Sequence, residues 1–110
     1  MTIDLHASVT TRIEQALDAF FAHHSSAAAA HGPEFADLWW LTAEHARGGK
    51  LVRPRLFLDT VEAFGTPADR TALDGLAASL ELLHFAFLLH DDVLDGDVVR
   101  RHRPNLIGRV

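Results

Sequence analysis

Apolar residues recur at helical spacing along almost the whole chain, and this periodicity constrains the fold more than any other feature. The first apolar stripe consists of Leu5, Val9, Ile13, Ala16, Leu17, Phe20 and Phe21. Steps of three and four residues place such side chains on one face of an α-helix. No segment alternates apolar and polar residues as a half-buried strand would. The pattern predicts an all-α helical bundle.

Three further helices are expected after the segment that ends at His31-Gly32-Pro33. The second helix should begin at Pro33 or Glu34 and stop at Gly48, because proline favours a first helical turn and glycine a helix end. The stripes of the third and fourth helices are Phe57, Val61 and Phe64, and then Leu73, Leu76, Leu80, Leu83 and Phe87. No repeat or low-complexity linker divides the chain, so residues 1–110 are interpreted as a single helical unit.

Composition narrows the classes of protein that fit. A hydrophobic content of 48% and a net charge of −5 in 110 residues are typical of a globular protein rather than a disordered one. The acidic balance argues against general nucleic-acid binding. The absence of cysteine and of a recognisable signal peptide is compatible with a cytoplasmic location. The apolar run 82–89 is too short to span a membrane, so no transmembrane segment is expected.

The most informative local feature is a set of three carboxylates that follows this apolar run. Asp91 and Asp95 lie one helical turn apart and Asp92 lies beside them. The apolar run indicates a buried element, and unpaired carboxylates at its end are costly. A divalent cation would relieve that cost, and hard oxygen ligands without cysteine favour Mg²⁺. Arg100 and Arg101 follow closely, so the sequence predicts Mg²⁺ together with diphosphate.

A basic cluster upstream supports the same chemistry. The segment 47–55 holds four cations and no acid. Gly48 and Gly49 allow an unusual turn or a close approach to a ligand. Lys50 and Arg53 are three residues apart, so in a helical first turn they would project on one side. An anion bound there would satisfy both the charges and the free N–H groups of the helix start.

His84 connects these features. At about 100° per residue, His84, Leu88, Asp91 and Asp95 fall in one stripe of the fourth helix. We therefore expect the histidine to face the same cavity as the carboxylates. The alternatives are a core histidine at position 84, a solvated helix end at the aspartates and a solvated corner at Lys50 and Arg53.

In this order and spacing, the motifs resemble those of trans-isoprenyl diphosphate synthases, the polyprenyl synthetase family. The residues that carry the resemblance are Gly48-Gly49-Lys50-x-x-Arg53-Pro54, Glu81-x-x-His84, Asp91-Asp92-x-x-Asp95 and Arg100-Arg101-x-Arg103-Pro104. One departure is Leu51, which stands where the family usually has a basic residue; we expect this to weaken only a peripheral charge. The resemblance implies the N-terminal portion of an isoprenoid-synthase-like fold.

The resemblance also implies site roles. Asp91 and Asp95 correspond to Mg²⁺ ligands, with Asp92 in the ligand set or behind it. Lys50, Arg53, His84 and Arg101 correspond to residues that bind the diphosphate of isopentenyl diphosphate, and Arg100 corresponds to one that binds the allylic diphosphate. Bulk at Ala86 and Phe87 is expected to limit product length, which favours a farnesyl or geranylgeranyl product. The implied reaction is prenyl transfer from an allylic diphosphate to isopentenyl diphosphate.

Family members are nearly three times as long and carry a second aspartate-rich motif that does not occur in these 110 residues. We therefore expect the chain by itself to be inactive, and to act as part of a longer homodimeric synthase or with a partner chain that supplies the second motif. Two alternatives stay open. One is a non-catalytic accessory subunit of such a synthase, and the other is a His-Asp metal phosphohydrolase that uses His90 and Asp91.

Overall fold

The computed structural model describes residues 5–65, 69–100 and 102–110. Within these residues the chain forms six helices and one short antiparallel hairpin, which confirms the all-α prediction. The helices are α1 (Leu5–His23), α2 (Ser25–Ala29), α3 (Pro33–Ala46), α4 (Val52–Ala63), α5 (Arg70–Asp95) and α6 (Leu106–Arg109). The strands are β1 (Val99–Arg100) and β2 (Arg103–Pro104), whose residues pair as Val99 with Pro104 and Arg100 with Arg103.

The main core lies where α1 packs against α4 and α5. One face of α1 is buried at every fourth residue, and Ile13 and Leu17 have no exposed surface. They meet Leu58 of α4 and Ala77 of α5 in one cluster. Complete burial of a leucine or isoleucine side chain contributes about 1.5–3 kcal/mol, so this face of α1 determines how the three helices assemble.

A second cluster attaches α3 to the end of α1. Phe21 is 2% exposed and packs with Ala43 and Ala46 of α3. The indole Nε1 of Trp39 donates a hydrogen bond of 2.8 Å to the backbone oxygen of Phe21. The buried alanines allow α3 to approach closely, while Trp39 satisfies its polar atom at the same contact.

Ion pairs between helices reinforce the main core. Arg12 of α1 donates to Asp74 of α5, with Nη2 2.6 Å from Oδ1. The hydrogen bond to Asp74 is the main reason that the pKa of Arg12 is raised above its ordinary value. Glu62 of α4 lies 3.7 Å from the same guanidinium. Arg12 thus joins α1 to both of the helices that it packs against.

The buried face of α5 is not the one that the leucine stripe predicted. Leu76, Leu80 and Leu83 are exposed, whereas Ala77 and Ala78 are buried. The apolar run 82–89 is likewise only partly buried or exposed, so the prediction of a buried element was wrong. Apolar residues lie on two faces of this helix, and α1 packs on the face with the smaller side chains because these permit close approach.

Other expectations need smaller corrections. The third-helix stripe included Phe64, which is 90% exposed, while the adjacent face supplies the buried Leu58. Ser25–Ala29, for which no helix was predicted, forms the one-turn-and-a-half helix α2. The predicted absence of strands was wrong for β1 and β2, because two-residue strands are too short to show an alternating pattern.

The C-terminal segment folds back onto the helices. Asn105 caps α6 by accepting from the Gly108 N–H at 2.8 Å and donates to the Asp97 backbone oxygen at 2.8 Å. Arg109 of α6 forms an ion pair with Glu44 of α3 at 3.0 Å. These contacts attach α6 to α3 and connect its start to the turn that follows α5.

By length and composition alone, α5 could cross a membrane, and only 17% of its most apolar window is buried. This is weak evidence, because core helices of soluble proteins pass the same test. The expectation that the chain has no transmembrane segment stays a prediction.

Candidate functional site

Gly48 and Gly49 lie in the turn between α3 and α4. This turn ends at Leu51, which adopts a left-handed conformation with φ of 57° and caps α4 without a side-chain hydrogen bond. Leu51 is only 3% exposed and belongs to the main core. The expectation that it merely replaces a peripheral charge was therefore wrong, since its side chain packs inside the protein.

The cations of this segment occupy different local positions. Because α4 begins at Val52, Lys50 precedes the helix and is exposed, whereas Arg53 lies in the first turn. The prediction that both side chains project from one helical turn was therefore wrong, because only Arg53 lies within the helix. Pro54 lies in that first turn, as predicted, and is buried.

Arg53 and His84 meet across the α4–α5 interface. The guanidinium Nη1 of Arg53 lies 3.2 Å from Nε2 of His84. A guanidinium has only donors, so this is a hydrogen bond when Nε2 carries no proton. The two side chains are 31 residues apart in sequence, and the tertiary structure brings both motifs to one surface.

A third ionisable residue, Glu81, lies near this pair, and no role of its own was predicted for it from the sequence. Glu81 lies one turn before His84 on α5 and is 5% exposed. Burial raises the pKa of its carboxyl above the ordinary value of 4.5, while the charges of His84 and Arg53 act to lower it. The signal in the sequence was a lone carboxylate within a run of leucines and alanines.

The aspartates lie in the last turns of α5, which ends at Asp95 and is capped by Gly96 with φ of 69°. Asp91 and Asp95 are exposed. Asp92 is 4% exposed and accepts a hydrogen bond of 2.6 Å from Nη2 of Arg100. The three carboxylates therefore divide into two that face solvent and one that is held by an arginine.

Arg100 is the second residue of β1, and its side chain reaches back to Asp92 in the last turn of α5. The hydrogen bond to Asp92 is the main cause of a raised pKa at Arg100, and the nearby charges of Asp97 and Asp91 act in the same direction. Its side chain is 40% exposed, so part of the guanidinium still faces solvent. Arg101, the other member of the predicted pair, lies outside the described residues.

The donor set suits a metal that shares its ligands with phosphate. In the described part of the chain, no group of three His, Cys, Asp or Glu residues is arranged to hold a metal ion unaided. Asp91 and Asp95 nevertheless offer two exposed carboxylates on adjacent turns. Mg²⁺ commonly binds through one or two carboxylates, with phosphates and water completing its six ligands. The residues therefore fit Mg²⁺ bound together with a diphosphate.

The pair formed by Arg53 and His84 lies close to the aspartates along α5. His84 and Asp91 are seven residues apart, or about 10 Å along the helix axis. A shallow groove of about 500 Å³ begins at Arg53 and continues over apolar side chains. Its remaining lining residues are Leu56, Phe57, Thr60, Val61 and Leu80. Of the predicted chain-length residues, Ala86 is exposed and Phe87 is 62% exposed.

Comparison with known proteins identifies relatives of this sequence. Over 58 residues, the chain is 47% identical to a short chain isoprenyl diphosphate synthase of Methanothermobacter thermautotrophicus, covering 52% of this chain and 17% of that protein. It is 45% identical over 58 residues to a (2E,6E)-farnesyl diphosphate synthase of Mycobacterium tuberculosis, covering 53% of this chain and 16% of that protein. A heptaprenyl diphosphate synthase component 2 of Geobacillus stearothermophilus is 42% identical over 59 residues, covering 54% of this chain and 18% of that protein.

The matched stretch thus spans 16–18% of the length of these relatives. No solved structure matches the chain significantly. The family model described as polyprenyl synthetase matches residues 40–109, which include the glycine turn, the histidine, the aspartates and the arginines. The chain belongs to the polyprenyl synthetase family.

Proposed function

We propose that the chain forms the first diphosphate-binding part of a trans-prenyltransferase, which joins an allylic diphosphate to isopentenyl diphosphate. The contact between Arg53 and His84 is the observation that carries the proposal, because it unites two separate family motifs at one surface. The relatives named above are prenyl diphosphate synthases, which supports the same reaction class.

The cationic cluster would bind the diphosphate of isopentenyl diphosphate. Arg53 and His84 supply donors from α4 and α5, and the exposed Lys50 extends the positive charge into the turn. Arg101 is assigned to the same diphosphate from the family motif. Charge-assisted hydrogen bonds of this kind contribute roughly 1.5–3 kcal/mol each. The partly exposed guanidinium of Arg100 would contact the allylic diphosphate.

Asp91 and Asp95 would hold Mg²⁺, with Asp92 acting through its ion pair with Arg100. When bound there, Mg²⁺ neutralises negative charge on the diphosphate leaving group. The protein's own residues do the remaining work. Asp92 orients Arg100 toward the leaving group, and the lysine, arginine and histidine fix the second substrate about 10 Å away along α5.

In the proposed reaction the allylic C–O bond breaks and its electron pair leaves with the diphosphate. The double bond of isopentenyl diphosphate attacks the resulting allylic cation, forming a new carbon–carbon bond. A proton then passes to the released diphosphate. Positioning and electrostatics are the protein's contribution, together with apolar side chains that keep water from the cation.

Product length is proposed to depend on Ala86 and Phe87, which lie five and four residues before Asp91. The small alanine and the bulky phenylalanine favour a farnesyl or geranylgeranyl product. We also propose a cytoplasmic protein, in keeping with its lack of cysteine.

The full assembly is proposed to be a homodimer of a longer chain or a complex with a partner that supplies the second aspartate-rich motif. A relative named component 2 supports a partner subunit. A purely accessory role without catalysis is the second candidate and shares the same diphosphate site. Family membership argues against the His-Asp phosphohydrolase.

A chimera tests the proposal and separates the two candidates. Residues 40–109 replace the matching segment of the Methanothermobacter synthase, and product formation is measured from radiolabelled isopentenyl diphosphate and geranyl diphosphate with Mg²⁺. A catalytic segment supports turnover, and Asp91→Asn or Asp95→Asn lowers it by orders of magnitude. Asp97→Asn, an exposed neighbour outside the stripe, is the matched control and leaves turnover within about threefold.

Failure of a folded chimera to turn over, while it still binds diphosphate, would favour the accessory role. Near-normal activity in both aspartate variants would remove the metal assignment.

A further inference from the structure

The carboxyl group of Glu81 is pressed against the second glycine of the turn. A Cβ atom added at Gly49 would lie 2.8 Å from Glu81 Oε1, which is closer than real Cβ contacts. At Gly48, the nearest atom to an added Cβ is the backbone oxygen of His45 at 3.4 Å, an ordinary contact distance. The two glycines therefore serve different purposes, and Gly49 is the one that accommodates Glu81.

Glu81 is also within electrostatic reach of Arg53 and His84. It precedes His84 by three residues, so both project from neighbouring positions on one face of α5. The charges of His84 and Arg53 both act on its carboxyl, and the two side chains lie 3.2 Å apart. The carboxylate has the opposite charge to the Arg53 guanidinium and can balance it when no other anion is bound.

We propose that Glu81 is a positioning residue for the diphosphate site. Its carboxyl lies against Gly49 and three residues before His84 on the same helix, so it would set the position of the glycine turn that carries Lys50 relative to the pair on α4 and α5. A methyl group at position 49 would take the space of the Glu81 carboxyl, so the carboxyl would shift away from the turn that it positions. This inference rests on the proposed diphosphate-binding function and names the group that holds its parts together.

The test is a double-mutant cycle on the 110-residue chain, with inorganic pyrophosphate as the probe in titration calorimetry. Gly49→Ala should weaken pyrophosphate binding about tenfold or more, the equivalent of one lost charge-assisted contact. Gly48→Ala is the matched control and should change affinity by less than about twofold. In a Glu81→Ala background, where space for a methyl group exists, Gly49→Ala should have no greater effect than Gly48→Ala. Circular dichroism verifies that each variant is folded.

A second measurement needs no ligand. The ¹⁵N resonance of His84 Nε2 reports the contact with Arg53, and Arg53→Gln gives its reference position without that contact. Gly49→Ala and Glu81→Ala should each move the resonance toward the reference, whereas Gly48→Ala should not.

The two measurements distinguish a failure of the proposed diphosphate-binding function from a failure of the positioning role of Glu81. If the wild-type chain fails to bind pyrophosphate but the His84 resonance responds as described, the proposed diphosphate-binding function fails, whereas the effect of Glu81 on the contact between Arg53 and His84 stands. Equal effects of the two glycine variants, or an undiminished effect of Gly49→Ala without the Glu81 carboxyl, would overturn the positioning role.

Discussion

At the scale of single residues, positions that look alike in the sequence have opposite environments. Leu51 and Val52 are adjacent aliphatic residues, yet the first is 3% exposed and the second 55%. Asp91 and Asp92 are adjacent carboxylates, yet the first is exposed and the second is buried against Arg100. Neighbouring residues at a helix end point in directions about 100° apart, so burial changes abruptly from one to the next.

Leu51→Lys, which introduces the basic residue usual in the family, is expected to destabilise the fold by about 2–4 kcal/mol. The substitution removes apolar packing and brings an ammonium group toward the core. Val52→Lys is the control at an exposed neighbour and should change stability by no more than about 0.5 kcal/mol. Urea denaturation measures both. Equal stability of the two variants would mean that the side chain at position 51 can leave the core freely.

At the scale of secondary-structure elements, α5 shows how an apolar helix selects its buried face. Ala77 is fully buried against α1, while Leu76 next to it is 55% exposed. Close packing of helices requires small side chains at the contact, so the alanine face lies inside this unit and the leucine face outside. The periodicity identified an apolar helix correctly but could not indicate which face packs on α1.

Ala77→Leu is therefore expected to destabilise the chain by about 1–3 kcal/mol, because added methyl groups overpack the contact between α1 and α5. Leu76→Ala, although it removes a larger side chain, should cost less than about 1 kcal/mol. Thermal unfolding followed by circular dichroism compares the two. A larger loss in Leu76→Ala would show that the leucine face is the one packed in solution.

The contact between α3 and α6 should depend on pH through His45. Burial lowers the pKa of His45 below 6.5, and the charge of Arg109 lowers it further. Because the folded chain disfavours the charged ring, this group contributes stability above pH 6.5 that is lost as the pH falls through the lowered pKa. Arg109→Gln should raise the pKa of His45, which proton NMR of the ring measures. An unchanged value in the variant would exclude an effect of Arg109.

At the scale of the whole molecule, much apolar surface faces outward. The radius of gyration is 15.7 Å, compared with about 13 Å for a compact domain of similar length. Exposed large apolar side chains on α4 and α5 include Val52, Leu56, Leu76, Leu80, Leu83, Phe87 and Leu94, and the exposed Phe64 follows α4 directly. Those on α5 share one face of the helix by their spacing, and an exposed apolar face of this kind commonly marks an interaction surface.

The isolated chain is accordingly expected to bind the dye ANS and to self-associate in sedimentation experiments. Leu83→Gln combined with Phe87→Gln should reduce both effects, because the two residues lie one turn apart on the exposed face of α5. Trp40→Gln, at an exposed position on α3, is the control and should have a smaller effect. A monomer without dye binding would show that this face is covered within the chain itself.

The sequence by itself determined the helical class, most helix limits and the family, because periodicity, capping residues and motif spacing are local properties. The start of α3 at Pro33 and the end of α5 after the aspartates followed from such signals. Tertiary structure alone decided which face of α5 is buried, that Leu51 enters the core, that Arg100 pairs with Asp92, and that the Glu81 carboxyl lies against Gly49. These outcomes depend on contacts between residues distant in sequence or on opposite sides of a turn, and local periodicity carries no information about them.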